Sequence, residues 1–93
     1  MFMQELNLKV LNKPGLHARP AKELVKFNKG IESEVVIKFN GKSANIKSMM
    51  AVMALGAKQD AEVTVTIEGP DEADVAKAVT EMFANGFGFP DEL

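Results

Sequence analysis

His17 and Arg19 are the residues whose types and spacing point most directly to chemistry. They are the only histidine and the only arginine in the chain, and they stand two positions apart in the segment Pro14–Ala21, PGLHARPA. Imidazole is the side chain whose charge changes near neutral pH, and guanidinium is a permanent cation whose planar fork of N–H donors matches a phosphate group. The pair therefore predicts a histidine that handles phosphate.

The expected position of His17 strengthens this hypothesis. A helix is predicted from Ala18 to Asn28, and Pro20 fits its first turn because proline has no N–H to contribute there. The first N–H groups of a helix lack intrahelical partners and carry partial positive charge, so they attract anions. Neutral imidazole is a good nucleophile. A phosphate on His17 would meet these N–H groups and Arg19, while Gly15 allows close approach of the backbone.

Spacing alone leaves other interpretations open. His17 could simply cap a helix, and Arg19 could simply be solvated. A metal site is disfavoured, because the chain has no cysteine and a single histidine, which excludes thiolate and multi-histidine ligand sets within one chain. The sequence therefore predicts no metal.

Composition narrows the class of protein. A chain of 93 residues with 46% hydrophobic and 26% charged residues is expected to form a single domain, residues 1–93. A net charge of −2 argues against nucleic-acid binding. No apolar run approaches the roughly 18 residues of a membrane span. The segment Met1–Glu5 lacks the pattern of a signal peptide, so a cytoplasmic location is expected.

Hydrophobic periodicity predicts an α+β fold in the order β-α-β-β-α-β-α. The predicted strands are 5–10, 35–39, 43–46 and 62–68, and the predicted helices are 18–28, 49–55 and a last helix between Asp71 and Gly86. Asn40–Gly41 is a strong hairpin signal. Apolar and polar residues alternate regularly in three of the strands, so one face of the sheet is expected to be exposed to solvent. This favours a four-stranded antiparallel sheet with three helices on the other face. The tail to Leu93 is expected to be loosely held.

Ser48 stands where the second helix is predicted to begin. Its ordinary role there is an N-cap, in which the hydroxyl oxygen accepts a hydrogen bond from a first-turn N–H. The functional alternative is a phosphorylation switch. A phosphate would add a charge of about −1.5 to −2 to a surface that a partner must touch.

Three of the six methionines, Met49, Met50 and Met53, fall in this short helix. We expect at least one of them to fill the core. However, the helix is apolar all round, and a short helix on one sheet face cannot bury every side. Some methionine is therefore expected to be exposed, and exposed flexible methionine suits a surface that docks several partners.

These motifs together resemble the HPr family, the histidine-containing phosphocarriers of the bacterial phosphoenolpyruvate:sugar phosphotransferase system. Pro14–Ala21 resembles the phosphorylation-site signature of that family. Asn40–Lys42, followed by Asn45–Met50 and Leu55–Gly56, resembles its regulatory region, and Gly86–Gly88 resembles its usual ending. The resemblance covers nearly the whole chain.

The resemblance implies an open-faced β-sandwich and a phosphorelay. Enzyme I would pass a phosphoryl group from phosphoenolpyruvate to Nδ1 of His17, and the group would then pass to the EIIA domain of a sugar permease. Arg19 would steady the phosphoryl group. The chain would be a monomeric carrier without a cofactor, and it would not be an enzyme because it turns over nothing alone.

The resemblance also implies partner contacts and regulation. Ser48 would be the target of an HPr kinase/phosphorylase, and its phosphorylation would slow the relay and promote binding to a transcriptional regulator. The implied docking residues are Met49, Met50, Met53 and Gly56, together with the lysines that would attract acidic partners, Lys26, Lys29 and Lys47.

Two departures from the family pattern stand out. Asp60 replaces a common glycine, and aspartate tolerates a left-handed backbone better than most residues. Ala51 replaces a glycine frequent in relatives that are phosphorylated on serine, which makes binding to a regulator less certain.

Two rival functions remain open at this stage. One is a purely regulatory module that acts only through Ser48, although such a protein would not need His17. The other is a carrier of the nitrogen-related branch, against which the segment Ile46–Met49 argues moderately.

Overall fold

Four strands and three helices follow one another in the predicted order. The computed structural model describes residues 3–93. The elements are β1 (Gln4–Lys9), α1 (Ala18–Asn28), β2 (Glu34–Phe39), β3 (Lys42–Asn45), α2 (Met49–Ala54), β4 (Glu62–Glu68) and α3 (Glu72–Ala84), followed by two 3₁₀ turns at Gly86–Gly88 and Pro90–Glu92. The periodicity therefore located every strand and helix, with small shifts at the ends.

The strands form one antiparallel sheet in the order β1-β4-β2-β3. Leu6 lies opposite Val65, and Val65 lies opposite Ile37, so these apolar side chains share one face of the sheet. The helices cover that face and bury a single core. The other face presents polar side chains such as Asn7 and Thr64, whose side chains are hydrogen bonded to each other. This is the predicted α+β open-faced β-sandwich.

Left-handed backbone occurs at two turns where the sequence predicted or allowed it. Asn40 (φ 51°) and Gly41 (φ 80°) both have positive φ, as a tight hairpin between β2 and β3 requires. Asp60 also has a positive φ, 71°, in the turn before β4. The aspartate that departs from the family pattern therefore adopts the conformation that glycine normally supplies.

Two predictions about packing are wrong. None of the three methionines of α2 fills the core, because Val52 and the following Leu55 occupy the buried positions of this short helix. The C-terminal segment, residues 86–93, is not loosely held either. Phe87 is buried with its ring centroid 4.8 Å from that of Phe83, and Glu92 is buried as well.

No helix within residues 3–93 combines the length and the apolar character that crossing a membrane would require.

Candidate functional site

His17 is the N-cap residue of α1. Its backbone is extended (φ −90°, ψ −163°), and its side chain makes no capping hydrogen bond. Among residues 3–93 no other side chain caps this helix, and the first turn of the helix contains no acidic residue. The N–H groups of Ala18 and Arg19 are thus left as donors at the positive end of the helix dipole, beside the imidazole. The interpretation of His17 as a plain helix cap does not fit this geometry.

The loop before His17 is held by close backbone packing. The N–H of Leu16 donates to the carbonyl oxygen of Ala57 at 2.9 Å. Gly15 has φ 77°, and a Cβ atom built there would lie 2.4 Å from the same carbonyl oxygen. Only glycine fits at this position, so Gly15 sets the approach of the His17 loop to the loop after α2.

The imidazole of His17 is bound to a carboxylate from the other end of the chain. Nε2 of His17 lies 3.1 Å from Oε1 and 3.0 Å from Oε2 of Glu92. Glu92 is 5% exposed. Its Oε1 also accepts a hydrogen bond from Nδ2 of the buried Asn12 at 2.8 Å, and its main-chain carbonyl accepts from the N–H of Lys13 at 2.6 Å. Hydrogen bonds therefore hold both the side chain and the main chain of Glu92.

Arg19 belongs to the same network. Its Nη1 donates to Oε2 of Glu92 at 2.9 Å and to Oδ2 of Asp91 at 3.0 Å. The guanidinium lies over the ring of Phe89, with Cζ 4.0 Å from the ring centroid, in a cation–π contact. Arg19 is therefore held in place by the C-terminal segment rather than simply solvated.

The charges in this network reinforce one another. Burial raises the pKa of Glu92, but hydrogen bonds from His17 and Asn12 and the nearby positive charge of Arg19 outweigh burial, so the pKa lies below its ordinary value. The hydrogen bond from Arg19 lowers the pKa of Asp91, and the hydrogen bond to Asp91 is the main cause that raises the pKa of Arg19. Both carboxylates are accordingly ionised at neutral pH.

Reasoning from the sequence did not find Asn12, Asp91 or Glu92. No local spacing could reveal Glu92, because 75 positions separate it from His17. Phe87 and Phe89, two large apolar residues in this segment, were a signal that could have indicated a packed C-terminus.

Part of the predicted docking surface borders His17. Met53 and Gly56 line a shallow depression together with His17, Pro14 and Lys58. Lys58 is an exposed lysine that the sequence analysis did not single out. The methionines of α2 are all exposed, Met49 by 37%, Met50 by 74% and Met53 by 38%. The side chain of Met53 therefore adjoins the imidazole, and Met49 and Met50 are exposed on the same helix.

The three predicted docking lysines, Lys26, Lys29 and Lys47, are all exposed. Lys26 and Lys29 lie at the far end of α1, about 14 and 18 Å from His17 along the axis at a rise of 1.5 Å per residue. Lys26 makes only a long contact of 4.0 Å with Glu23. Lys47 immediately precedes the Ser48 cap of α2. The structure thus places the first two lysines apart from the imidazole.

Ser48 caps α2 as predicted. Its Oγ accepts a hydrogen bond from the N–H of Ala51 at 3.1 Å, and its backbone is extended. The side chain is only partly buried and precedes the exposed Met49 and Met50. A group attached to this hydroxyl would stand at the edge of the apolar surface.

Within residues 3–93, no cluster of three or more histidine, cysteine, aspartate or glutamate side chains is arranged to hold a metal ion.

The open-faced sandwich and the histidine at the start of α1 define the class of histidine-containing phosphocarrier domains. A family model described as the PTS HPr component phosphorylation site matches residues 4–85. The chain belongs to the HPr family of phosphocarrier proteins of the phosphotransferase system.

Solved structures agree with this family. An HPr-C-His protein of Thermoanaerobacter tengcongensis is 35% identical over 91% of this chain and 96% of its own, with a TM-score of 0.85. The phosphocarrier protein HPr of Bacillus anthracis is 30% identical over 89% of this chain and 99% of its own, with a TM-score of 0.82. Crh, the Bacillus subtilis catabolite repression containing protein, is 33% identical over 95% of this chain and 94% of its own, with a TM-score of 0.65. The solved structure of Crh is a domain-swapped dimer.

Proposed function

We propose that this chain is a phosphocarrier that accepts a phosphoryl group on His17 from phosphorylated enzyme I and passes it to EIIA domains of sugar permeases. The observation that carries the proposal is the position of His17 at the uncapped start of α1, two residues before Arg19. Free N–H groups, the helix dipole and a guanidinium surround the place where a phosphate on the ring would lie. Membership of the HPr family supports the same function.

The chain would carry the phosphoryl group without catalysing a reaction alone. Enzyme I supplies the group and an EIIA domain consumes it, so the chain turns over nothing by itself and needs no cofactor or metal. It would act as a cytoplasmic monomer. The swapped dimer of Crh identifies the dimer as the alternative, which sedimentation of the purified chain would detect.

The proposed docking surface consists of Met49, Met50, Met53 and Gly56. Met53 lies beside the imidazole, and Met49 and Met50 are exposed on the same short helix, so the three methionines would offer an adaptable apolar surface for partners that must approach His17 closely. Lys26, Lys29 and Lys47 would steer acidic partners from a distance, since exposed charges contribute mainly to the association rate. No single lysine is therefore expected to be essential.

We also propose that Ser48 is a regulatory phosphorylation site. The hydroxyl is partly exposed at the start of α2 and next to the methionine surface, so a phosphate there would place negative charge in the path of enzyme I. An HPr kinase/phosphorylase would add this phosphate. The phosphorylated form would bind a transcriptional regulator, and the likeness to Crh, named for catabolite repression, favours this second role.

Transfer from enzyme I tests the main proposal. The chain is incubated with phosphoenolpyruvate and enzyme I, and the site of phosphate is mapped by mass spectrometry under mildly basic conditions, which preserve phosphohistidine. We expect acid-labile phosphate on His17 and none on the His17→Ala variant. Acid-labile phosphate on that variant, or none on the wild type while the same enzyme I phosphorylates another HPr, would contradict the proposal.

A further inference from the structure

We infer that Glu92 is a positioning residue for phosphoryl transfer, because its carboxylate holds the proton of His17 on Nε2 and leaves Nδ1 as the nucleophile. The inference rests on the proposed function of His17 and adds a residue from the far end of the chain to it. Both carboxylate oxygens of Glu92 lie within hydrogen-bond distance of Nε2 of His17, at 3.1 and 3.0 Å.

The chemistry of this contact selects one tautomer. An ionised carboxylate can only accept hydrogen bonds, so Nε2 must carry the proton. In a neutral imidazole the other nitrogen, Nδ1, then bears the free electron pair. No hydrogen bond within residues 3–93 engages Nδ1, and the side chain of His17 is 29% exposed. The ring therefore presents Nδ1 to an incoming phosphoryl donor.

The carboxylate is fixed before any partner arrives. Asn12 donates to Oε1, Arg19 donates to Oε2, and the side chain of Glu92 is 6% exposed. A buried, hydrogen-bonded carboxylate that orients a histidine is the arrangement that sets the tautomer in other catalytic and metal-binding sites. Since the pKa of Glu92 is lowered, its carboxylate is charged at neutral pH.

The same charge suits the transfer step. The electron pair on Nδ1 of His17 forms a bond to phosphorus, the N–P bond of the phosphohistidine donor breaks, and its electron pair returns to the donor's ring nitrogen. The ring of His17 then carries phosphorus on Nδ1 and hydrogen on Nε2, and so gains a positive charge. The carboxylate of Glu92 stabilises that charge, and no proton moves.

Arg19 can serve the phosphoryl group without leaving the carboxylates. Nη1 supplies both hydrogen bonds to Asp91 and Glu92. A guanidinium has five N–H donors, and those on Nη2 and Nε make no hydrogen bond within the described residues. The C-terminal segment therefore orients Arg19 through Nη1 and leaves the N–H groups of Nη2 and Nε to bind the phosphoryl oxygens.

Nitrogen NMR of the imidazole tests the inference without enzyme I. We expect wild-type His17, at mildly alkaline pH, to show the tautomer protonated on Nε2. The isosteric Glu92→Gln variant should show a mixture, because an amide can either accept from or donate to Nε2. Asp91→Asn is the matched control, since it removes a tail charge that does not touch His17, and it should keep the wild-type tautomer. An unchanged tautomer in Glu92→Gln would overturn the inference.

Phosphorylation by enzyme I gives the second readout. We expect Glu92→Gln to accept phosphate on the order of 10-fold to 100-fold more slowly than wild type, as for other groups that orient a functional histidine. Equal rates for the two proteins would overturn the role of Glu92 and leave the phosphocarrier function intact. Failure of the wild type itself to accept phosphate would instead contradict the proposed function, while the NMR result would still report on the contact.

Discussion

The N–H of Leu16 donates a 2.9 Å hydrogen bond to the carbonyl oxygen of Ala57. This bond joins the loop that carries His17 to the loop that follows the methionine helix, although each loop belongs to a different sequence motif. A partner that docks on α2, as we propose, would thereby be brought close to the imidazole. Gly15 sets the spacing between the two loops, because the backbone of Ala57 leaves no room for a side chain at position 15.

The first prediction concerns that spacing. Gly15→Ala should destabilise the domain by roughly 2–4 kcal/mol, because it combines an unfavourable positive φ with a clash against backbone. Gly41→Ala is the matched control, because it has a similar φ (80°) and no atom within 4 Å of the added methyl. It should lose only about 1 kcal/mol. Urea denaturation measures both, and equal losses would show that close packing at Gly15 contributes nothing.

The second prediction concerns the methionine surface. Met50 is 74% exposed, so Met50→Glu should change the free energy of unfolding by less than about 0.5 kcal/mol. It should raise the KM for phosphoryl transfer from enzyme I, because a charge would have to be desolvated in the apolar contact. Ala73→Glu, at an exposed position of α3, is the control with the same added charge. A KM shift of equal size in both variants would remove Met50 from the docking surface.

The third prediction concerns Ser48. Ser48→Asp should slow phosphorylation by enzyme I about tenfold or more, equivalent to about 1.4 kcal/mol of activation free energy, because it puts negative charge on the proposed docking surface. Ser48→Asn offers a neutral side chain of similar size that caps helices equally well, so it should retain the wild-type rate. Both variants should melt like the wild type. Transfer kinetics that do not distinguish aspartate from asparagine would argue against an electrostatic switch.

The fourth prediction concerns acid. The pKa of Glu92 in the folded protein lies below its ordinary value of 4.5, which we take for the unfolded chain. Its stabilising contribution is therefore complete above the unfolded pKa and is lost as the pH falls through the folded pKa. The stability of wild type should exceed that of Glu92→Gln near neutral pH and converge on it in acid, since protonated glutamate resembles glutamine. Denaturant titrations across this range measure the difference, and a constant gap would show that the charge is irrelevant.

Much of the fold was available from periodicity. Val63, Val65 and Ile67 alternate with polar residues and form β4, and the Asn40–Gly41 pair forms the predicted hairpin. Local rules succeed here because strand faces and turn conformations depend on neighbouring residues. They failed for the methionines of α2, because an apolar side chain on a short helix can be buried or exposed depending on how the helix is seated on the sheet.

The sequence by itself determined which two residues form the centre of the proposed phosphate site and that they lie close together. A lone histidine and a lone arginine, two residues apart at the start of a helix, need only the helix to bring them together. Only the tertiary structure decided that Asn12 and Glu92 complete this site. The reason is physical, since the position of Glu92 depends on contacts between residues far apart in sequence, such as Arg19 over the ring of Phe89 and Asn12 with the carbonyl oxygen of Gly86. No local pattern in the sequence predicts these contacts.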